Sequence, residues 1–109
     1  MIKVKYMYDV IAPIGKAQEE YDIGEGARVE DLWKLILERH RDKLEAAGYV
    51  NPQTGEPYIF DPEAIRAASL VFSFQRKGLP GMHMLWWYDG MKTELKEEDL
   101  VIVGPPKAG

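Results

Sequence analysis

Residues 29–44 read Val29-Glu30-Asp31-Leu32-Trp33-Lys34-Leu35-Ile36-Leu37-Glu38-Arg39-His40-Arg41-Asp42-Lys43-Leu44. Val29, Leu32, Trp33, Ile36, His40 and Leu44 recur at steps of one, three and four residues, which collects them on one face of a helix. Glu30 and Asp31 lie in the first turn and Arg39, Arg41 and Lys43 lie late, as the helix dipole favours. Gly48 supplies a C-terminal stop. Arg28 stands at the N-cap position, where its side chain has no acceptor for the free N–H groups, so the cap is weaker by about 1 kcal/mol.

On the N-terminal side the period changes to two. Ile2, Val4, Tyr6 and Tyr8 alternate with Lys3, Lys5 and Met7, the pattern of a half-buried strand. Pro13 and Gly15 are expected to turn the chain. Lys16 to Ile23 alternates again, with Ala17, Glu19, Tyr21 and Ile23 on one side, so the two segments predict an antiparallel hairpin whose less apolar second strand lies near an edge. Gly24 and Gly26 end it.

On the C-terminal side a long connection, Gly48 to Ser69, carries Pro52, Pro57 and Pro62. Asp61-Pro62-Glu63 reads as the capped start of a short helix through Ala68. Leu70 to Gln75 reads as a strand and Gly78, Pro80 and Gly81 as a loop. Met82 to Tyr88 predicts a further strand closed by a tight turn at Asp89-Gly90, and Leu100 to Val103 predicts the last. Strands, one long helix and more strands is the order of an α+β domain with a mixed sheet on one helix, here with an extra loop or short helix and an extra strand in the middle.

With 109 residues, 46% hydrophobic and 29% charged, the chain is expected to form one domain over 1–109, with 104–109 as an exposed tail. A net charge of -4 argues against nucleic acid as a partner. No cysteine is present, which excludes a disulfide, a thiolate metal site and a thiol nucleophile. The two histidines, His40 and His83, have no partner at ligand spacing, so no metal site is expected, and His40 reads as a boundary residue. Glu97, Glu98 and Asp99 read as a solvated turn. No apolar run is long enough for a membrane span, and Met1-Ile2-Lys3-Val4-Lys5 reads as a strand in place of a signal peptide, so the cytoplasm is the expected location.

The chain ends Leu95-Lys96-Glu97-Glu98-Asp99-Leu100-Val101-Ile102-Val103-Gly104-Pro105-Pro106-Lys107-Ala108-Gly109. After Val103 every residue is small, rigid or charged, so nothing there packs as core. This ending, with the hairpin and helix of the first 40 residues, resembles the ubiquitin-like sulfur carriers of the β-grasp fold, in particular the small subunit of molybdopterin synthase. Leu95 and Asp99 stand where that family has a Leu and a Gly-Asp turn, Leu100 to Val103 look like its last strand, and Pro105, Pro106, Ala108 and Gly109 look like its tail. A single Gly stands where the family has two. The resemblance covers about half of the chain, and residues 45–92 are longer than in a typical carrier.

The resemblance implies that Gly109 is the reacting residue and that no cofactor is bound. An E1-like activating enzyme would use ATP to adenylate the Gly109 carboxylate, sulfur would displace AMP, and the thiocarboxylate would serve a sulfur-accepting partner such as the large subunit of molybdopterin synthase. Pro105, Pro106, Lys107 and Ala108 would bind partners as they position Gly109. Glycine lets the backbone pass a narrow tunnel, and the proline pair lowers the entropy lost on ordering. The bulky run Met82 to Tyr88 offers a second partner-binding surface through Trp86 and Trp87. Two other readings are a ubiquitin-like carrier for thiamine or tRNA thiolation, and a noncatalytic β-grasp subunit docking through the Trp86/Trp87 face.

Overall fold

In the computed structural model, residues 1–7, 10–58, 69–85 and 89–104 are described. The two periodicities resolve into a sheet and a helix that share one core. Strand β1 is Ile2–Tyr6, with Ile2, Val4 and Tyr6 buried and Lys3 and Lys5 exposed. A single helical turn, α1 (Ile11–Ile14), follows where a plain turn at Pro13 and Gly15 was expected. Gly15, at φ 83°, caps this turn by donating to the Ile11 carbonyl, so the reversal is made by one closed helical turn. Strand β2 (Gln18–Tyr21) pairs antiparallel with β1 and lies at the sheet edge, as its sparse apolar content predicts.

Helix α2 runs Val29–Ala46 and buries Val29, Leu32, Trp33, Ile36, His40 and Leu44, the face that the spacing selects. The Arg28 side chain makes no capping bond, but Asp31 partly compensates by accepting the Arg28 N–H at 2.8 Å. At the other end Gly48 adopts φ 83°, and the Tyr49 and Gly48 N–H groups donate to the Leu44 and Glu45 carbonyls. This Schellman closure satisfies carbonyls that would otherwise be orphaned, and it buries Tyr49 beside the last turn. His40, read as a boundary residue, is buried at 9% exposure.

Strand β3 is Val71–Gln75, β4 is His83–Leu85 and β5 is Leu100–Gly104. The sheet order is β2-β1-β5-β3-β4, with β5 parallel to β1 and antiparallel to β3. Parallel pairing of the first and last strands requires a crossover, and α2 fills the sheet's inner face within it. Trp33 packs edge-to-face on Phe72 at 5.6 Å and donates its indole N–H to the Gly55 carbonyl, tying the helix to both the sheet and the long connection. The Asp89-Gly90 pair does not form a hairpin turn, because β4 and β5 are not neighbours. Asp89 instead precedes a 3₁₀ turn at Gly90–Lys92. A Cβ on Gly90 would stand 2.7 Å from the Leu85 carbonyl carbon, so close packing explains this glycine. The expected short helix at 61–68 and the end of the strand expected through Tyr88 lie outside the described residues.

Candidate functional site

The site is built around β5, the central strand, since the chain's last residues follow it directly. Its alternation places Val101 and Val103 in the core and leaves Leu100 and Ile102 half-buried on the other face. Gly104 is in register with Val71, and beyond the last β1–β5 pair the Met7 N–H donates to the Val103 carbonyl at 2.9 Å. The strand that precedes residues 105–109 is therefore held on both sides to its end.

The start of β5 is held by Asp99. Arg76, just past β3, clasps it bidentately, Nε to Oδ1 at 3.0 Å and Nη2 to Oδ2 at 2.8 Å, and the Lys96 N–H donates to Oδ2 at 2.8 Å. Asp99 is 1% exposed, which corrects its reading as part of a solvated turn; Glu97 and Glu98 are exposed. Antiparallel pairing of β3 with β5 brings Arg76 to this place from 23 residues away. Burial pushes the Asp99 carboxyl up, but the Arg76 and Lys96 bonds outweigh it and hold the group below its ordinary value. The Asp99 bond in turn raises Arg76.

The sheet face opposite α2 carries the outward half of the strand alternation. Strand pairing lines up Gln18, Lys5, Ile102, Ser73 and Met84 across it, and Glu20, Lys3, Leu100 and Gln75 in the next row. Val71 extends the apolar strip beside Gly104. Leu100, Ile102 and Val71 are the aliphatic residues of this centre, beside Ser73 and Gln75, with Met84 at 49% exposure on one side and two exposed lysines on the other. Such a face suits a protein partner with an apolar centre and carboxylates over Lys3 and Lys5.

On the inner side, Glu19 forms a separate polar cluster. Tyr6 and Tyr21 donate to its Oε1 at 2.7 and 3.1 Å, His40 Nε2 lies 2.7 Å from the same oxygen, and Arg39 reaches Oε2 at 3.4 Å. Burial pushes Glu19 up, yet the Tyr6 and His40 hydrogen bonds outweigh it and lower the carboxyl overall. An acceptor carboxylate makes His40 Nε2 the N–H donor of that pair. Burial also raises both tyrosines. The cluster joins the edge strand β2 to α2 and is shut away from the open face, so its role is structural.

The site residues expected from sequence, Pro105, Pro106, Lys107, Ala108 and Gly109 with Trp86 and Trp87, lie outside the described residues. The structure describes the base from which the tail starts and the strand leading to Trp86. Sequence reading passed over the open face of Lys3, Lys5, Leu100, Ile102, Val71 and Met84. The outward half of the period-two pattern was the available signal, once one helix is taken to cover only one sheet face. Among the described residues no group of three His, Cys, Asp or Glu is placed to hold a metal, and no helix is long and apolar enough to cross a membrane.

No protein-family model and no curated protein matches the chain by sequence. Solved structures do match. Small archaeal modifier protein 1 from Haloferax volcanii superposes with a TM-score of 0.64 at 18% identity, covering 99% of this chain and 97% of that one. The same modifier from Methanosarcina acetivorans gives 0.62 at 18% identity, over 99% and 94%. A chain from Pyrococcus furiosus assigned as molybdopterin converting factor, subunit 1, gives 0.61 at 29% identity, over 97% of each. The five-stranded mixed sheet on one long helix is therefore a ubiquitin-like β-grasp, and the structures it is similar to are ubiquitin-like proteins of the sulfur-carrier type.

Proposed function

We propose that the chain is a ubiquitin-like carrier whose Gly109 carboxylate is activated and thiocarboxylated, and that it delivers sulfur in molybdopterin-type cofactor synthesis. The observation that carries this reading is the placement of Pro105-Pro106-Lys107-Ala108-Gly109 directly after a central strand held on both sides to its last residue. The 29% identity to the molybdopterin converting factor subunit over nearly the whole of both chains supports this branch.

The chemistry asks little of the carrier's side chains. The Gly109 carboxylate attacks the α-phosphorus of ATP on an E1-like enzyme and expels pyrophosphate, leaving an acyl adenylate. Hydrosulfide, or a donor equivalent to it, attacks the acyl carbon, AMP leaves with the bonding pair, and a proton is released as the thiocarboxylate forms. With no cysteine in the chain, no side-chain thiol competes with Gly109 as the position that takes up sulfur. Pro105, Pro106, Lys107 and Ala108 occupy the enzyme's channel, and Trp86 and Trp87 join the docking surface. The acceptor partner is the large subunit of a molybdopterin synthase, working in the cytoplasm.

Incubation with an E1-like enzyme active on its own carrier, ATP and sulfide, followed by intact-mass measurement, tests the reading. Sulfur replacing oxygen adds about 16 Da at the terminus of a thiol-free chain. A shift only after one Gly is appended assigns activation to the longer ending. No shift on either form rejects carriage and leaves the noncatalytic docking subunit.

A further inference from the structure

Gly104 is the last residue of β5, buried between Met7 and Val71, and residues 105–109 begin from it. Its φ is outside the left-handed region, so torsional freedom does not explain a glycine there. Space does. A Cβ at this position would stand 2.9 Å from the Met7 Cβ and 3.5 Å from the Met7 carbonyl oxygen. A side-chain tip could swing aside, but a Cβ moves only with its backbone, so a larger residue must part the end of β5 from Met7.

We propose that Gly104 is a positioning residue for the terminal carboxylate: its missing side chain lets β5 close on Met7, fixing where and in which direction the tail leaves the sheet. The proposal rests on the carrier reading. Gly104 is held in extended backbone as the end of β5, and Pro105 and Pro106 each lock φ, so the tail has fewer torsions with which to absorb a tilt at its base. Five residues reach at most about 17 Å, so a tilt of about 10° at the base moves the carboxylate by up to about 3 Å. A displacement of that size matters in an adenylation site, where about 1 Å of misplacement already costs on the order of a hundredfold.

The test compares the unsubstituted chain, Gly104→Ala, and the double variant Met7→Gly/Gly104→Ala, in which the opposing Cβ is removed. Residual dipolar couplings of the Val103, residue 104 and Lys107 N–H vectors report tail direction without any enzyme. ATP–pyrophosphate exchange with an E1-like enzyme reports activation. Gly104→Ala should rotate these vectors relative to β1 and lower kcat roughly tenfold or more with KM nearly unchanged, because the Ile102 face still docks. The double variant should restore both. Unchanged couplings in Gly104→Ala, or a kcat loss that the double variant does not recover, overturns the proposal. Should Gly104→Ala fail to fold, a double variant that is also unfolded or is activated poorly overturns it as well. Absence of exchange in both the unsubstituted chain and its Gly-appended form rejects the carrier reading alone, since the couplings still decide where the tail leaves the sheet.

Discussion

Glu19 carries three donors on a single oxygen, and this concentration has a consequence in acid. Its carboxyl is lowered in the fold, as is that of Asp99, so the unfolded chain binds their protons more readily. Their contribution to stability is whole above the unfolded values near pH 4, and it is lost as the pH falls through the lower folded values. Thermal melts should therefore decline on going from about pH 5 toward pH 3. Glu19→Gln should melt below the unsubstituted protein at pH 7 and show a shallower acid decline. Equal acid slopes for the two proteins would contradict the assignment.

At the scale of elements, the turn before β5 combines a strong anchor with a strained residue. The Arg76–Asp99 clasp joins the end of β3 to the start of β5, while Glu98 between them adopts φ 69°. A non-glycine residue in that region costs about 1–2 kcal/mol, partly offset by the greater chain entropy that glycine loses on folding. Glu98→Gly should thus stabilise the protein by about 0.5–1 kcal/mol, raising the urea midpoint with no change in slope. A lower midpoint would show that the Glu98 side chain contributes more than its backbone conformation costs. Helix α2 shows the opposite balance: its cap is poor, yet Trp33 and the Schellman closure hold it through contacts that lie outside the helix.

For the whole molecule, the β-grasp divides its two sheet faces: the inner face, α2 and the Glu19 cluster hold the fold together, whereas the outer rows around Ile102 are half-buried to exposed. Ile102→Thr combined with Met84→Ser retains β-branching at the first site and removes apolar area from the strip. The pair should weaken binding of the activating enzyme several-fold, measured by calorimetry, and change stability by no more than about 1 kcal/mol. Unaltered affinity would place docking elsewhere, with Trp86 and Trp87 the next residues to substitute.

The sequence by itself determined the elements whose signal is local. The repeat from Val29 to Leu44 specifies a helix and its buried face because the side chains of one turn follow from backbone geometry alone, and alternation at Ile2–Tyr6 and Leu100–Val103 specifies strands for the same reason. Pro105-Pro106-Lys107-Ala108-Gly109 reads as a tail from composition alone, each residue being small, rigid or charged, and it lies outside the described residues. Only the tertiary structure decided what depends on distant partners. Asp99 turned out to be buried because strand pairing delivers Arg76, His40 because β2 presents Glu19, and Asp89-Gly90 opened a 3₁₀ turn because β5 inserts between β1 and β3. Gly104 reads in sequence as the first residue of an exposed tail, whereas the structure buries it as the last residue of β5. Its close approach to Met7 exists only once the parallel β1–β5 pair has formed, because two segments nearly 100 residues apart must close before Met7 meets the Gly104 backbone.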